Sequence, residues 1–445
     1  VGLAPKRMVA LGQALGIRSA AELHAAALDG RLVEVPGIGP STVAKIRTAL
    51  EQPQPAPRRG LPLNRSRELT GSIAAALGGE PAGDPRRFKD SSERLAVVVP
   101  AAQPAAVIDR FAALPEIVSV VDRSDRTAVG VTVDGVPVEL VVAAPERFGT
   151  ELLRATGTQR YVAALESVHG ELPDAPDEAA LYATLGLAYL PPELREEPFA
   201  GEAPALVAQS DIRGDLHVHT TWSDGKATVL EMAEAALALG YDYIAICDHT
   251  RAVRVVPGLD ADDLRRQGEE IAAVNEELAP FRVLRGSECD ILADGSLDLP
   301  DDVLAELDWV QASVHAGQRQ SRDQLTKRTL AAVHHPAVRS ISHPQGRIIN
   351  HRPPNAVDLE AVFAACAETG TAVETNGLPD RIDLSAELVR DAIRAGVLVT
   401  CSTDAHSVRG LQNMQLAVAT ARRGWATTAA VLNTRSLAEL SPVTP

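Results

Sequence analysis

The chain has 445 residues, 45 % of them hydrophobic and 23 % charged, a length that exceeds one ordinary domain and suggests about two to four. No apolar run is long enough to span a bilayer and no signal-peptide core opens the chain, so a soluble, cytoplasmic protein without a membrane partner is expected. The net charge of −16 excludes a surface that wraps nucleic acid throughout, but residues 1–70 hold ten Lys/Arg against five Asp/Glu, a surplus of five that leaves −21 on the remainder. A basic head on an acidic body points to phosphate contact at one end. The four cysteines, Cys247, Cys289, Cys366 and Cys401, form no CxxC pair and read as small buried hydrophobes.

Two Pro-rich stretches, "EQPQPAPRRG" (51–60) and "PPELREEPFAGEAPA" (191–205), mark joints between a helical head, a mixed middle and a long C-terminal block. In the head, "LVEVPGIGPSTVAKIRTAL" places Pro36–Pro40 as a tight hairpin, with Ser41 capping the next helix. Glycines let the backbone approach a ligand, and free amides at a helix start favour an anion. The stretch resembles the helix-hairpin-helix motif, which holds a DNA phosphate without reading sequence. Gly37, Gly39 and Lys45 are the expected DNA-binding positions, although a plain helix–helix turn fits the same residues. "VGLAPKR" at Val1 reads as a poorer copy, with Ala4 where a glycine is expected.

The middle alternates apolar strands ("RLAVVVP", "TAVGVTVDGVPVELVVA") with a helical stretch ("PAAVIDRFAAL"). The C-terminal block has a rhythm of short apolar runs, each ending in a potential metal ligand. "DLHVHTTWSD" offers His217 and His219, on one face of a strand end, and Asp224 on a turn. "YIAICDH" ends at His249, "FRVLRGSE" at Glu288, "WVQASVH" at His315, "RSISH" at His343, "TAVETN" at Asn376, and "GVLVTCSTDAH" at Asp404 and His406. Strand, ligand, helix, repeated, predicts a parallel β/α barrel with its chemistry at the C-terminal strand ends.

Six imidazoles and three carboxylates without a thiolate favour zinc, manganese or iron, and nine donors exceed one ion, so two to three divalent ions are expected. Such ions lower the pKa of water and clamp phosphoryl oxygens. Arg347 in "HPQGR", Arg381 in "LPDRID" and Asn376 are the expected phosphate-binding residues; each arginine also fits a surface salt bridge.

"DLHVHTTWSDG", "AICDHT", "GSECDIL", "ASVH", "ISHPQGR" and "STDAH" resemble the successive motifs of the PHP (polymerase and histidinol phosphatase) domain across 211–445. That resemblance implies a distorted (β/α)7 barrel whose metal ligands are His217, His219, Asp224, His249, Glu288, His315, His343, Asp404 and His406. It also implies phosphoester cleavage by a metal-activated water held by His249, Glu288 and Asp404. Together with the hairpin, "AGDPRRFKDSSERLAVVV", "PERFGTELLRATGT" and "LYATLGLAYLPPELRE", the chain is similar to bacterial family X DNA polymerases with a C-terminal PHP domain.

The implied organisation is multidomain: a helix-hairpin-helix head (1–55), an α+β palm-like domain (61–165), a thumb-like segment and linker (166–205) and the barrel (206–445). The family's two palm aspartates fall at Arg94 and Ala96 and the third at Glu139, so the palm is degenerate and nucleotidyl transfer is expected to be lost. The family's N-terminal lyase-type domain has no counterpart after Val1, which leaves room for residues upstream.

The resemblance implies a 3′–5′ exonuclease acting on DNA ends in repair, on 3′ ends of gapped or single-stranded DNA. Three other readings fit less of the chain: a small-molecule phosphatase of the histidinol-phosphate type, a non-catalytic DNA-end scaffold, and a still active polymerase.

Overall fold

A computed structural model describes residues 14–17, 20–36, 38–40, 42–43, 46, 60–199 and 201–440. The chain divides into two compact units, Val1–Arg59 and Gly60–Pro445. In the first, α1 (Ala20–Leu28) is followed by a 3-10 turn, Arg31–Glu34. Leu23, Ala26, Leu32, Val35, Ile38, Val43 and Ile46 form its core. The carbonyl of Gly39 accepts from the amides of Thr42 (2.9 Å) and Val43 (3.1 Å). Gly37, Ser41, Lys45 and the poorer hairpin copy opening at Val1 lie outside the described residues.

The second unit opens with β1 (Leu61–Pro62), α2 (Leu63–Leu77), β2 (Glu80–Gly83), β3 (Ser91–Ser92), β4 (Leu95–Pro100), α3 (Pro104–Ala112), β5 (Ile117–Arg123), β6 (Thr127–Thr132) and β7 (Pro137–Ala143). Five of these strands form a mixed sheet in the order β2-β4-β7-β6-β5, with β4 parallel to β7 and the other pairs antiparallel. The unbroken apolar run of β4 follows from burial on both faces. Leu95, Val97 and Val99 pack with α2 and α3, whereas Ala96 and Val98 face Leu152 and Ala155.

Three helices follow, α4 (Phe148–Thr156), α5 (Gln159–His169) and α6 (Glu178–Thr184). Leu153, Tyr161, Leu165, Leu181, Tyr182 and Leu194 give them a small core of their own. The expected joint at residues 165/166 therefore falls inside α5, and that boundary is corrected: Leu165 is part of the core that binds α5 to α6. The guanidinium of Arg195, fully buried, and that of Arg86 both grip the buried Glu178.

The barrel runs β8 (Gly214–Val218), α7 (Val229–Ala238), β9 (Tyr243–Ile246), α8 (Ala261–Glu277), β10 (Arg282–Asp290), α9 (Asp301–Leu304), β11 (Trp309–Ser313), α10 (Arg322–Val333), β12 (Val338–Ile341), α11 (Leu359–Thr369), β13 (Ala372–Asn376), α12 (Ala386–Arg394), β14 (Val399–Ser402), α13 (Met414–Arg423) and α14 (Leu437–Leu440). Capping boxes start three of the helices: Thr228 with Glu231, Asp260 with Asp263, and Ser321 with Gln324. All seven strands are parallel and neighbour one another in chain order. The ring closes where Val218 bridges Ala405 and the amide of His219 donates to the carbonyl of Ala405 at 2.9 Å.

The sheet domain rests on the barrel through Leu63, buried with Ile349, Ile382 and Leu416. Asn350 also donates to the carbonyl of Gly60 at 2.8 Å. The four cysteines are free and buried, and among the described residues no helix is long and apolar enough to cross a membrane.

Candidate metal centre

Residues i and i+2 of a strand share a face, and β8 departs from plain alternation through a register shift between Asp215 and Val218. Leu216 packs with Tyr243, Ala245, Leu284 and Trp309, Val218 packs with Ile244 and Ile246, and His217 and His219 are fully buried. Asp224 returns on the "WSDG" turn, where a Cβ on Gly225 would lie 2.7 Å from the backbone of Thr220, so only glycine fits. Asp248 pins that loop by accepting from the amide of Thr220 (2.8 Å) and from the side chains of Thr220, Ser223 and Gln267.

All nine predicted side chains converge on the C-terminal strand ends, with Glu288 at their centre. Its carboxylate lies 2.8 Å from His343 Nε2, 3.0 Å from His249 Nδ1, 3.4 Å from His315 Nε2, 3.5 Å from His217 Nε2 and 3.6 Å from His219 Nε2. Asp404 stands 3.1 Å from His219 Nε2, and Asp224 lies 3.3 Å from His406 Nε2. Three groups have donor atoms within 4.8 Å of one another: His219, Asp224, His249 and His406; His217, His219 and Asp404; His249, Glu288 and His315. His219 and His249 each belong to two groups, so the groups share ligands. His343 and Asp404 both adopt positive φ, 26° and 52°, a strained backbone of the kind that collects at functional sites.

The donor set fits divalent ions. Nδ1 of His219, Nδ1 of His249, Oε1 of Glu288 and Nε2 of His343 are buried with no hydrogen bond among the described residues, a state that is destabilising unless a cation completes it. Nε2 of His217 and Nε2 of His219 face each other at 3.1 Å, close to the roughly 3–3.5 Å between two imidazole nitrogens on one ion with bonds of about 2.0–2.1 Å. The far nitrogens of three rings are tied back. His217 Nδ1 is 2.7 Å from Glu374, His315 Nδ1 is 3.3 Å from Asp290, and His406 Nδ1 is 2.8 Å from the carbonyl of Asp404. Such partners fix the tautomer and aim the other nitrogen inward.

The electrostatics agree. Burial pushes Glu288 up, but the charges of His315, His217 and His249 outweigh it and hold the carboxyl well below its usual range. Burial likewise raises Asp404, and His217 and His219 overcome it so that the group ends well below a normal aspartate. His219 is pushed down to about 3 by burial and by the charge of His249. Ionised carboxylates and a neutral imidazole are the forms a cation binds, whereas His217, His249 and His406, which burial lowers but the surrounding carboxylates raise, His406 to about 9, must give up a proton to one.

Of the two expected phosphate-binding arginines, Arg381 reaches the cluster, with Nε 3.8 Å from Asp404. Arg347 does not stand at the ligands and is corrected to a brace. It donates to the carbonyls of Arg381 (3.1 Å) and Ile382 and pairs with Asp90 of the sheet domain at 2.8 Å. Asn376 is also redirected, because its amide donates to Asp404 at 2.9 Å and so orients a carboxylate. The reading missed Glu374, fully buried, which accepts from the amide of His343 at 2.8 Å as well as contacting His217. It stands two residues before Asn376 on one strand, so alternation places both inward; that was the available signal.

In the sheet domain, Ala96 is paired with Glu139 across β4 and β7, and Arg94 lies 4.0 Å from Glu139. The three expected palm positions thus sit together, with Ala96 fully buried against Leu152 and Ala155.

The PHP domain family matches residues 215–358. The DNA polymerase/3'-5' exonuclease PolX of Bacillus subtilis (strain 168) is 35 % identical over 469 aligned residues, 99 % of this chain and 82 % of that protein. The chain belongs to the family X DNA polymerases that carry a PHP domain. Part of this family X chain is also similar to a probable phosphatase of Acetivibrio thermocellus, 30 % identical over 201 residues, 43 % of this chain and 78 % of that protein. A crystal structure of Leishmania infantum polymerase beta, in a ternary P/T complex, aligns with TM-score 0.26 and 15 % identity over 44 % of this chain and 94 % of that one. Membership and the PHP match make the family X barrel a metal-dependent phosphoesterase domain.

Proposed function

We propose that this chain removes nucleotides from the 3′ ends of gapped or single-stranded DNA by metal-dependent phosphodiester hydrolysis, and that its palm no longer transfers nucleotides. The observation that carries the reading is the nine-residue cluster around Glu288, with four buried polar atoms awaiting a partner and Arg381 beside it. Two or three divalent ions of the manganese, zinc or iron class, held by those nine side chains, would supply an activated water near neutral pH and offset charge on phosphoryl oxygens.

The chain's own groups do the rest. Arg381, part-buried beside Asp404, offers a fixed cation where phosphoryl charge develops. Glu374 and Asp290 hold the rings of His217 and His315, and Asp248 holds the loop that presents His219 and Asp224. Cys247, Cys289 and Cys401 are buried with their thiols pushed up by burial, Cys289 to about 12, so none of them is a nucleophile.

The exonuclease for which the Bacillus subtilis relative is named supports exonuclease action. The palm reading is supported by Arg94 and a buried Ala96 beside Glu139: a guanidinium repels an ion, and one carboxylate does not hold two. The basic head, with Gly39 at a helix start, supports DNA phosphate contact through a helix-hairpin-helix.

The purified chain with Mn²⁺ and an end-labelled primer–template, with and without dNTPs, tests both halves. Shortening from the 3′ end is expected. Template-directed extension overturns the palm reading. Hydrolysis of histidinol phosphate without any DNA cleavage favours the small-molecule reading that the resemblance to the probable phosphatase supports.

A further inference from the structure

We propose that the cleft between α2 and the segment following His406 is the channel through which a single DNA strand reaches the metal centre. This rests on the phosphodiesterase reading and adds the substrate path to it. The cleft, about 660 Å³, is lined by Asn64 and Arg67 of α2 and by Ser407, Arg409, Gln412 and Gln415, with Pro379 at its edge. That volume lies in the range of ligand sites, about 300–1,000 Å³, with room for a short stretch of single strand and none for a duplex.

Its position is the first argument. His406 is the most open of the nine clustered side chains, 31 % exposed, whereas His217 and His219 are fully buried. The cluster therefore faces solvent on the side of His406, and Ser407, the next residue, lines the cleft. Pro379 stands two residues before Arg381 in the loop that brings that guanidinium to Asp404.

The lining chemistry is the second argument. Among the described residues, the side chains of Asn64, Ser407, Arg409, Gln412 and Gln415 have no hydrogen-bond or ion-pair partner. Ser407 sits at the start of the 3-10 segment Val408–Asn413 without capping it, so its hydroxyl is free. Arg67 is held flat, stacked 3.8 Å over the ring of Phe88 and donating to the carbonyl of Pro85 at 3.2 Å. The one acid at the cleft, Glu68, is engaged by Arg65 at 2.9 Å. Unpaired amides, a hydroxyl and two guanidiniums, with no aromatic ring to stack a base, are the groups that hold sugar and phosphate. Recognition here is of the strand's backbone and is independent of sequence.

The test compares wild type with Arg409→Glu/Gln412→Glu, two exposed side chains that brace nothing, in the full Mn²⁺-loaded chain. Substrates are an end-labelled oligothymidylate and bis(p-nitrophenyl) phosphate, a diester too short to occupy the cleft. We expect kcat/KM on the oligonucleotide, relative to that on the small diester, to fall by about tenfold or more through KM. The oligothymidylate Kd, read by fluorescence anisotropy with Ca²⁺ in place of Mn²⁺, should rise by a similar factor with a shallower salt dependence. An unchanged Kd, or equal losses on both substrates, overturns the channel. A wild-type protein that cleaves the small diester and no DNA refutes the proposed function instead, and the anisotropy comparison then still decides the cleft.

Discussion

Replacing Glu374 by Gln keeps the shape of the side chain and removes its charge at the point where the barrel interior holds His217. One carboxylate oxygen accepts from Gln311 (2.8 Å) and contacts His217 Nδ1 (2.7 Å); the other accepts from the amide of His343 (2.8 Å) and from Ser342 (3.0 Å). Gln311 donates to one oxygen and the His343 amide to the other, where Asn376 also donates at 3.3 Å, so whichever way the amide is turned its NH2 meets at least one donor and leaves it unpaired in a fully buried site. One lost acceptor for buried donors is worth about 1–3 kcal/mol of stability. Loss of a carboxylate behind a metal-binding imidazole typically weakens metal affinity by about 10–100-fold, because the ring is no longer held in the tautomer that aims Nε2 at Glu288 and Asp404. The assay is a competition titration of Mn²⁺ or Zn²⁺ against a chromophoric chelator, with thermal melts of metal-free and metal-loaded protein. The melting temperature should fall in both forms, and more in the loaded one. Metal affinity within twofold of wild type would refute the role given to Glu374.

Arg381→Ala should slow DNA hydrolysis by roughly 10²–10³-fold at unchanged metal content, while Arg347→Ala, which frees the carbonyls of Arg381 and Ile382, should act more weakly; steady-state kinetics with elemental analysis separates the two. Ala96→Asp should destabilise the chain by several kcal/mol without conferring nucleotide incorporation, because the new carboxylate is buried against Leu152 and Ala155; urea unfolding and a primer-extension assay check both parts. Burial raises Glu178, but Arg86 and Arg195 outweigh it and leave its pKa below the ordinary value. A depressed carboxylate contributes stability that is complete above the unfolded-state pKa of about 4.3 and is lost as pH falls through the lower folded value. Glu178→Gln should therefore be destabilised by about 3–5 kcal/mol at pH 7 and show a flatter acid limb, which denaturant melts across pH 3–7 would measure.

The barrel was legible because parallel strands buried on both faces read as short apolar runs, and each run here ends in a residue that an apolar core rejects. The nine clustered donors followed from those endings. Glu374 lay inside its run, where attention to the terminal Asn376 hid it, although the two share a face. Arg347 looked like a substrate cation because it follows "HPQG"; its guanidinium turns instead to two carbonyls and to Asp90, some 250 residues earlier in the chain, and no local pattern shows such a contact. The joint expected at 165/166 failed for a related reason. Leu165 and Leu194 belong to one small core, which composition does not show. The pairing of Ala96 with Glu139 was legible only through the resemblance to the family's palm; alternation puts Arg94 and Ala96 on one face but does not set the register with another strand.

Ring closure gives the clustered donors an order of assembly. His217 and His219 leave the first strand of the barrel and Asp404 and His406 follow the last, and the seam between those strands is the Val218–Ala405 bridge. A chain emerging from the ribosome has made most of its staves before it has either half of this seam's ligand pair together. Contacts of such long sequence separation form late and slowly. An ion that needs His219 and Asp404 at once can bind only a finished ring, so its binding free energy is stored entirely in closure. A chain cut short before residue 399 would keep six of the seven strands and lose the clasp, and metal uptake during refolding would time the moment the last stave seats.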